Sequence, residues 1–290
     1  MKVGIFSHCT MDTIVYENEQ YDAPGGPASY CSLTARKQKH DVNLYTKFGP
    51  NYPLEEFFKE NKINIPNALS SQSTTRFKIE LNGSDRKLFV ENMCDKINFI
   101  KNDNDGVIIS PVFNEISLET YSQIKNSDNF TFLDPQGFLR EKNSNNEISL
   151  KTTSLDLNNI NAIKMNPDEL HALTGLTGYD GIKQLQKLGI EYVIYTNKQE
   201  ISLLVKDKLY TIHLPKINLT DTTGIGDIFC STFVCTMLKE KDFLWALSFA
   251  GGAAQSALES KAFGLEKVPE KNALETNGSY FYNIVEFKQI

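Results

Sequence analysis

The stretch that decides the reading is Thr220-Asp221-Thr222-Thr223-Gly224-Ile225-Gly226-Asp227, set between a strand-rich region and an apolar run over 227–239. Glycines at 224 and 226 free the backbone to bring several N–H groups to one anion, and the helix that follows adds the positive end of its dipole. That is a cradle for a phosphate or an oxyanion. A carboxylate set there would repel an anion that was merely bound. It makes sense where Asp227 takes a proton from a nucleophile while the backbone stabilises a phosphoryl group. Read alone, Gly-x-Gly-Asp is also an ordinary helix N-terminus whose acidic side chain favours the dipole.

Outward from this motif, short β-branched and apolar runs recur at 2–7, 42–47, 107–110, 130–134, 162–165 and 192–196, with helical stretches between them. Such alternation predicts an α/β fold, a mostly parallel, doubly wound sheet with helices on both faces. Ligands then collect at the carboxyl ends of the strands. Two stretches break the rhythm. Phe77, Ile79 and Leu81 alternate with Arg76, Lys78 and Glu80, and Asn82-Gly83 leads into 87–92, a hairpin with one apolar face. Residues 12–21 read as another exposed strand. Together they predict a small β-sheet lid, segments 12–24 and 72–97 inserted into one domain spanning 1–290. Its apolar face covers a ligand, a second copy of the chain in a homodimer, or both.

Residues 141–159, rich in Asn, Ser, Lys and Thr, read as a loop with a short helix. The run 227–239 is apolar nearly all round and predicts a buried helix. Residues 244–258, interrupted by Gly251-Gly252, predict a second buried helix or a helix pair.

Composition excludes several classes. The 290 residues carry 30 Lys and Arg against 36 Asp and Glu, a formal charge of −6, and only four arginines, Arg36, Arg76, Arg86 and Arg140. That is not the basic footprint of a nucleic-acid partner. Five cysteines without a Cys-x-x-Cys pair and four histidines without His-x-x-x-His indicate neither a disulfide framework nor a zinc site. No uncharged segment reaches membrane-spanning length and the N-terminal apolar stretch is too short for a signal peptide, so the expected location is cytoplasmic, away from membranes. There is no Gly-Lys dipeptide for a Walker A loop, no third glycine for a dinucleotide fingerprint, and no Gly-x-Ser-x-Gly.

With the rest of the chain, 221–227 resembles the C-terminal motif of the ribokinase-like, or PfkB, sugar kinases, Asp-Thr-Thr-Gly-Ala-Gly-Asp, with only Ile225 departing from it. The resemblance implies a ribokinase-like three-layer α/β/α fold. It implies Asp227 as catalytic base and the backbone of Gly224, Ile225 and Gly226 as anion hole. Asn166-Pro167-Asp168-Glu169 resembles the family's Asn-x-x-Glu motif, in which Asn and Glu order Mg2+ and its waters, so Glu169 would act on the metal through water. The same residues also form a capping box at a helix start, and both roles can coexist. Gly25-Gly26-Pro27-Ala28-Ser29-Tyr30 resembles the N-terminal Gly-Gly motif, which hinges the lid and lets substrate approach the backbone.

The resemblance further implies substrate contacts from Asp12, Gly25, Gly26, Tyr30 and His8. His8 would donate to a polyol hydroxyl, against the ordinary alternative of a satisfied structural histidine. Tyr30 stands where ribokinases and fructokinases carry Asn, which argues against ribose and fructose. The stretches 8–12, 25–30 and 133–140 look closer to the myo-inositol kinase branch. On the nucleotide side it implies Thr222, Thr196 and the small residues Gly252, Ala253 and Ser256 around the adenine; from their positions, Lys198 would supply a cation and Arg140, just beyond a strand's carboxyl end, would pair the nucleotide or product phosphate. Arg140 paired with Asp134 at the surface, and close helix packing at 252–256, are the plain alternatives. The loop 196–200 lacks the glycines usual in the family.

The implied reaction is γ-phosphoryl transfer from ATP to a hydroxyl of a polyol or sugar, with ATP and Mg2+ required and room left for a monovalent cation. A nucleoside kinase is the alternative within the family. A nucleotide- or sugar-binding protein without turnover is the alternative outside it.

Overall fold

In the computed structural model, which describes residues 1–290 other than 17, 18, 83, 84, 102, 128, 217–221, 261 and 263, the chain begins with β1 (Lys2–Phe6), β2 (Thr10–Tyr16), β3 (Glu19–Gly25), α1 (Gly26–Lys37) and β4 (Asp41–Tyr45). Next come α2 (Glu55–Glu60), β5 (Ile63–Asn64), β6 (Thr75–Asn82), β7 (Asp85–Asn92), β8 (Gly106–Ile109), α3 (Leu118–Lys125), β9 (Phe130–Leu133) and α4 (Gln136–Leu139). The middle of the chain supplies β10 (Arg140–Lys142), β11 (Ile148–Leu150), β12 (Ala162–Met165), α5 (Pro167–Thr174), α6 (Gly178–Lys187), β13 (Tyr192–Asn197), β14 (Glu200–Val205) and β15 (Lys208–His213). It closes with α7 (Ile225–Glu240), α8 (Phe243–Glu259), a 3₁₀ turn over Gly264–Lys267, α9 (Lys271–Ile284) and β16 (Glu286–Gln289).

Ten strands form one sheet in the order β16-β15-β14-β13-β12-β9-β8-β1-β4-β5. From β5 to β13 every pairing is parallel, and the last three strands add on antiparallel. Successive strand residues enter opposite cores. Ile5, Ile108, Phe132, Ala162 and Ile194 join α7 through Phe229 and Phe233. Phe6, Ile109, Leu133, Ile163 and Val193 join α3, α5 and α6 through Ile124, Leu170 and Leu185. Both faces are covered, which is why these strands read as unbroken apolar runs.

The second sheet, β3-β2-β6-β7, stands off the end of the first, with β2 and β6 parallel and the other pairs antiparallel. Its polar face is stitched by Arg76, whose Nη1 lies 2.8 Å from Thr13 Oγ1 and 2.9 Å from Asp22 Oδ2. Phe77, Ile79 and Leu88 turn the other way, toward the parallel strands' carboxyl ends. The expected Asn82-Gly83 turn lies at residue 83, outside the described residues.

One expectation is corrected. The segment 141–159 holds no helix: β10 and β11 pair as a hairpin instead. Asn143 Oδ1 accepts the N–H groups of Asn145 and Glu147 at 2.9 and 3.0 Å, a side-chain turn that outcompetes helix. Residues 243–259 form one continuous buried helix, the first of the two forms expected for 244–258, and its glycines serve packing. A Cβ on Gly252 would lie 2.6 Å from Gly278 N of α9, and one on Gly251 would lie 2.3 Å from Ile212 Cδ1. No helix among the described residues is long and apolar enough to cross a membrane.

Candidate active site

A cleft of about 200 Å³ opens where the parallel strands end and the four-stranded sheet overhangs them. One wall is the start of α7. Gly224, the residue capping that helix, has φ +79°, a left-handed conformation suited to glycine. A Cβ there would also meet the ring of Tyr30 at 2.5 Å. The Ile225 N–H reaches Thr222 O at 3.4 Å, a weak turn bond that an arriving anion can outbid. Residues 220 and 221 of the motif lie outside the described residues.

Asp227 occupies the first turn of α7 and lines the cleft. Burial, and then the neighbouring Asp134 carboxylate, push its carboxyl up to about 7, against the opposing pull of Lys164 and Arg140. A carboxylate so tuned accepts a proton near neutral pH.

Two cations offset the acidic side chains. Lys164, in β12, places Nζ 2.8 Å from Asp134 Oδ2, a carboxylate only 1% exposed. Burial works against the lysine's charge, yet the carboxylates of Asp134 and Glu169 hold its pKa well above the ordinary value. The ammonium also lies 3.6 Å from where a Gly226 Cβ would be, against the anion cradle itself. Arg140 lines the same cleft and is steadied by hydrogen bonds to Val112 O at 2.7 Å and Gln136 Oε1 at 2.9 Å. Asp134 is therefore buried against Lys164 and not a partner in a surface pair.

On the opposite wall Asp12, 7% exposed, comes from β2. Its carboxylate demands glycine at 25, where a Cβ would fall 2.1 Å from Asp12 Oδ2. Gly26 has φ +78°, and a Cβ there would lie 3.1 Å from Thr10 Oγ1. That Thr10 hydroxyl lines the cleft, is buried and has no hydrogen-bond partner. Above them Phe77, Ile79 and Leu88 form the apolar ceiling.

The capping box at the start of α5 is complete. Asn166 Oδ1 accepts from the Asp168 and Glu169 N–H groups, and Glu169 Oε2 accepts from the Asn166 N–H at 2.9 Å. Glu169 is nearly buried, and burial raises its pKa despite nearby Lys164. Among the described residues no three of His, Cys, Asp or Glu gather as a ready-made metal site. Mg2+ keeps most of its waters and is held by one or two carboxylates plus substrate phosphates. The Glu169 carboxylate fits it in that indirect way, while that of Asp134 is taken by Lys164.

Several expected contacts sit elsewhere. His8 is fully buried, with Nε2 2.7 Å from Asp95 O and Nδ1 2.8 Å from Thr75 Oγ1, so both ring nitrogens are consumed by structure. Tyr30 lies behind the cleft wall, supporting Gly224. Gly252 and Ala253 are buried in the α8–α9 packing, and Ser256 Oγ donates to Gly252 O while accepting from Asn277 Nδ2. Thr196 reaches Met165 O at 3.4 Å, and Lys198, exposed at φ +55°, forms the tight turn between β13 and β14. Sequence reasoning missed Thr10 and Lys164. The signal for Lys164 was a lone charge in the apolar run 162–165, two residues before Asn166.

A left-handed glycine and an acidic side chain at a helix start, at the ends of a doubly wound parallel sheet and under a small second sheet, are the setting of a ribokinase-like phosphotransferase acting on hydroxyl groups of sugars or polyols. The chain belongs to the pfkB family of carbohydrate kinases, whose profile matches residues 60–270. Among similar solved structures is a sulfate complex of a pyrophosphate-dependent kinase in the ribokinase family, with 16% identity, 95% of this chain and 99% of that one covered, and TM-score 0.80. Another is a pyrophosphate-dependent myo-inositol-1 kinase converted by mutation into a myo-inositol-3 kinase, with 18% identity, 97% and 99% covered, and TM-score 0.79. A third is Arabidopsis thaliana ribokinase complexed with ribose and ATP, with 14% identity, 95% and 98% covered, and TM-score 0.76. These likenesses concern the fold. No curated protein matches the chain at a significant level.

Proposed function

We propose that this carbohydrate kinase transfers the γ-phosphoryl of ATP to a hydroxyl of a polyol, myo-inositol or a related sugar, with Asp227 as the base. The observation that carries this reading is the placement of Asp227 in the first turn of α7, lining the same cleft as Gly224 and Gly226, where burial and the Asp134 carboxylate push its carboxyl up to about 7. Asp12 and Thr10 hold acceptor hydroxyls against the Gly25-Gly26 backbone. Asp227 accepts the proton of the attacking hydroxyl. The N–H groups of Gly224, Ile225 and Gly226 receive the charge of the phosphoryl in flight, and Lys164 adds its charge from within the cleft. Arg140 steadies the departing phosphate. When bound through Glu169, Mg2+ would supply further neutralisation of phosphate charge. The sheet segments 12–24 and 72–97 act as a lid that excludes water, so that the donor is not hydrolysed. Asp227→Asn tests the assignment: kcat should fall by about 10²- to 10⁴-fold while KM stays within a few-fold. Full activity in this variant would sink it.

A second reading concerns the donor. The residues expected around an adenine are taken up by the packing of α9, and the turn at Lys198 is tight and lacks glycine. A donor with no nucleoside, such as pyrophosphate, makes no demand on that region. Comparing turnover with ATP and with pyrophosphate at matched Mg2+ separates the two readings.

A further inference from the structure

We infer that Lys267 is a built-in cation that sets the anion cradle, so that catalysis needs no alkali-metal ion. This rests on the phosphotransfer reading above. Lys267 ends the 3₁₀ turn and is 2% exposed. Its Nζ donates to Thr223 O at 2.9 Å, across 44 residues of sequence. The same ammonium lies 6.0 Å from the centre of the Tyr30 ring.

The geometry gives this contact a consequence. Thr223 C=O and Gly224 N–H belong to one planar trans peptide and point in opposite directions. Holding the carbonyl toward Lys267 therefore aims the Gly224 N–H away from it. Thr223 and Gly224 both line the cleft, and Tyr30 blocks the loop from sinking at Gly224. Lys267 and Tyr30 together fix the plane of the peptide that begins the anion hole. A buried ammonium is costly unless it is paired or hydrogen-bonded, and packing alone would be met by Met or Leu.

An alkali ion orders such a loop by collecting carbonyl oxygens, and the described residues do not fit one. The Thr223 carbonyl already faces an ammonium. Across the gap, Val268 O accepts from Lys37 Nζ at 2.6 Å, and Lys37 is anchored in turn by Glu270 at 2.9 Å. Among the described residues, one carbonyl of each segment, Thr223 O and Val268 O, is thus held by a lysine, and a further cation between these two meets like charge.

The test compares the wild-type chain in tetramethylammonium chloride and in KCl at equal ionic strength, by turnover and by calorimetric binding of ADP and of inorganic pyrophosphate. Wild-type rates and affinities should agree within about two-fold between the salts. Lys267→Met should lose about ten-fold or more in kcat with acceptor KM little changed, and K+ or ammonium should restore part of the loss. Lys267→Arg should retain most activity. Wild-type activation or tightening by K+ of ten-fold or more overturns the inference, as does a folded Lys267→Met with wild-type kinetics and anion affinity. Absence of turnover with every acceptor in both salts sinks the kinase reading, while the calorimetric comparison on the wild type still judges Lys267 without any variant.

Discussion

Asp227 combines two properties that pull against each other. Burial and the Asp134 carboxylate make its ionised form costly, and the reaction needs that form. With a pKa of about 7, kcat/KM should decline below neutral pH with the slope of a single proton, and Asp227→Asn should flatten that limb. The stability sign follows from linkage. The folded-state pKa lies above the unfolded one, so this group's contribution is fully present below the ordinary carboxylate range and is lost as pH rises through about 7. Asp227→Asn should therefore raise Tm relative to wild type more at pH 8 than at pH 5, in paired calorimetric scans. An equal shift at both would mean that burial does not perturb this carboxyl. Lys164 is the second residue of consequence. Lys164→Met removes the cation beside the cradle and leaves Asp134 buried without its ion pair. It should lower kcat by roughly 10²-fold, against a stability loss visible in urea titrations.

At the scale of elements, the helices that carry the site were legible because their chemistry is local. The capping box at 166–169 and the glycine turn before α7 are set by neighbours in sequence: the box is complete and Gly224 takes the left-handed conformation. Contacts made across the fold were not legible. His8 reads as a polar group at a strand end, but Asp95 and Thr75 arrive from far along the chain to take both its nitrogens. Gly252 reads as room for a ligand, but α9 fills that room. Gly252→Ala should thus destabilise the protein by about 1–3 kcal/mol through overpacking against Gly278, with donor KM unchanged in the remaining folded enzyme. A large change in donor KM without loss of stability would return 252–256 to the nucleotide site. The overhanging sheet is tested separately. Ile79→Asp places a charge in its apolar ceiling, and the ratio of donor hydrolysis to transfer should rise.

Across the whole molecule, the net charge of −6 is a poor guide to an enzyme that handles phosphates. What matters is placement. Lys164 and Arg140 stand in the cleft, Lys267 stands behind the cradle, and the sheet's parallel strand ends bring together residues separated by more than half the chain. The layer architecture could be read from the apolar runs because each strand residue faces one of two cores. Of the lysines only Lys164 left a trace, as a lone charge in an apolar run, and neither it nor Lys267 announces the partner it meets across the fold. Phosphoryl transfer to a hydroxyl should depend on Asp227. The direct measurement is phosphorus NMR of the product formed from Mg-ATP or Mg-pyrophosphate with a panel of polyols and sugars, for wild type and Asp227→Asn. A phosphate monoester that appears with the wild type and is nearly absent with the variant is the predicted result. Equal product from both proteins, or donor hydrolysed to free phosphate with no ester formed on any acceptor, would contradict it.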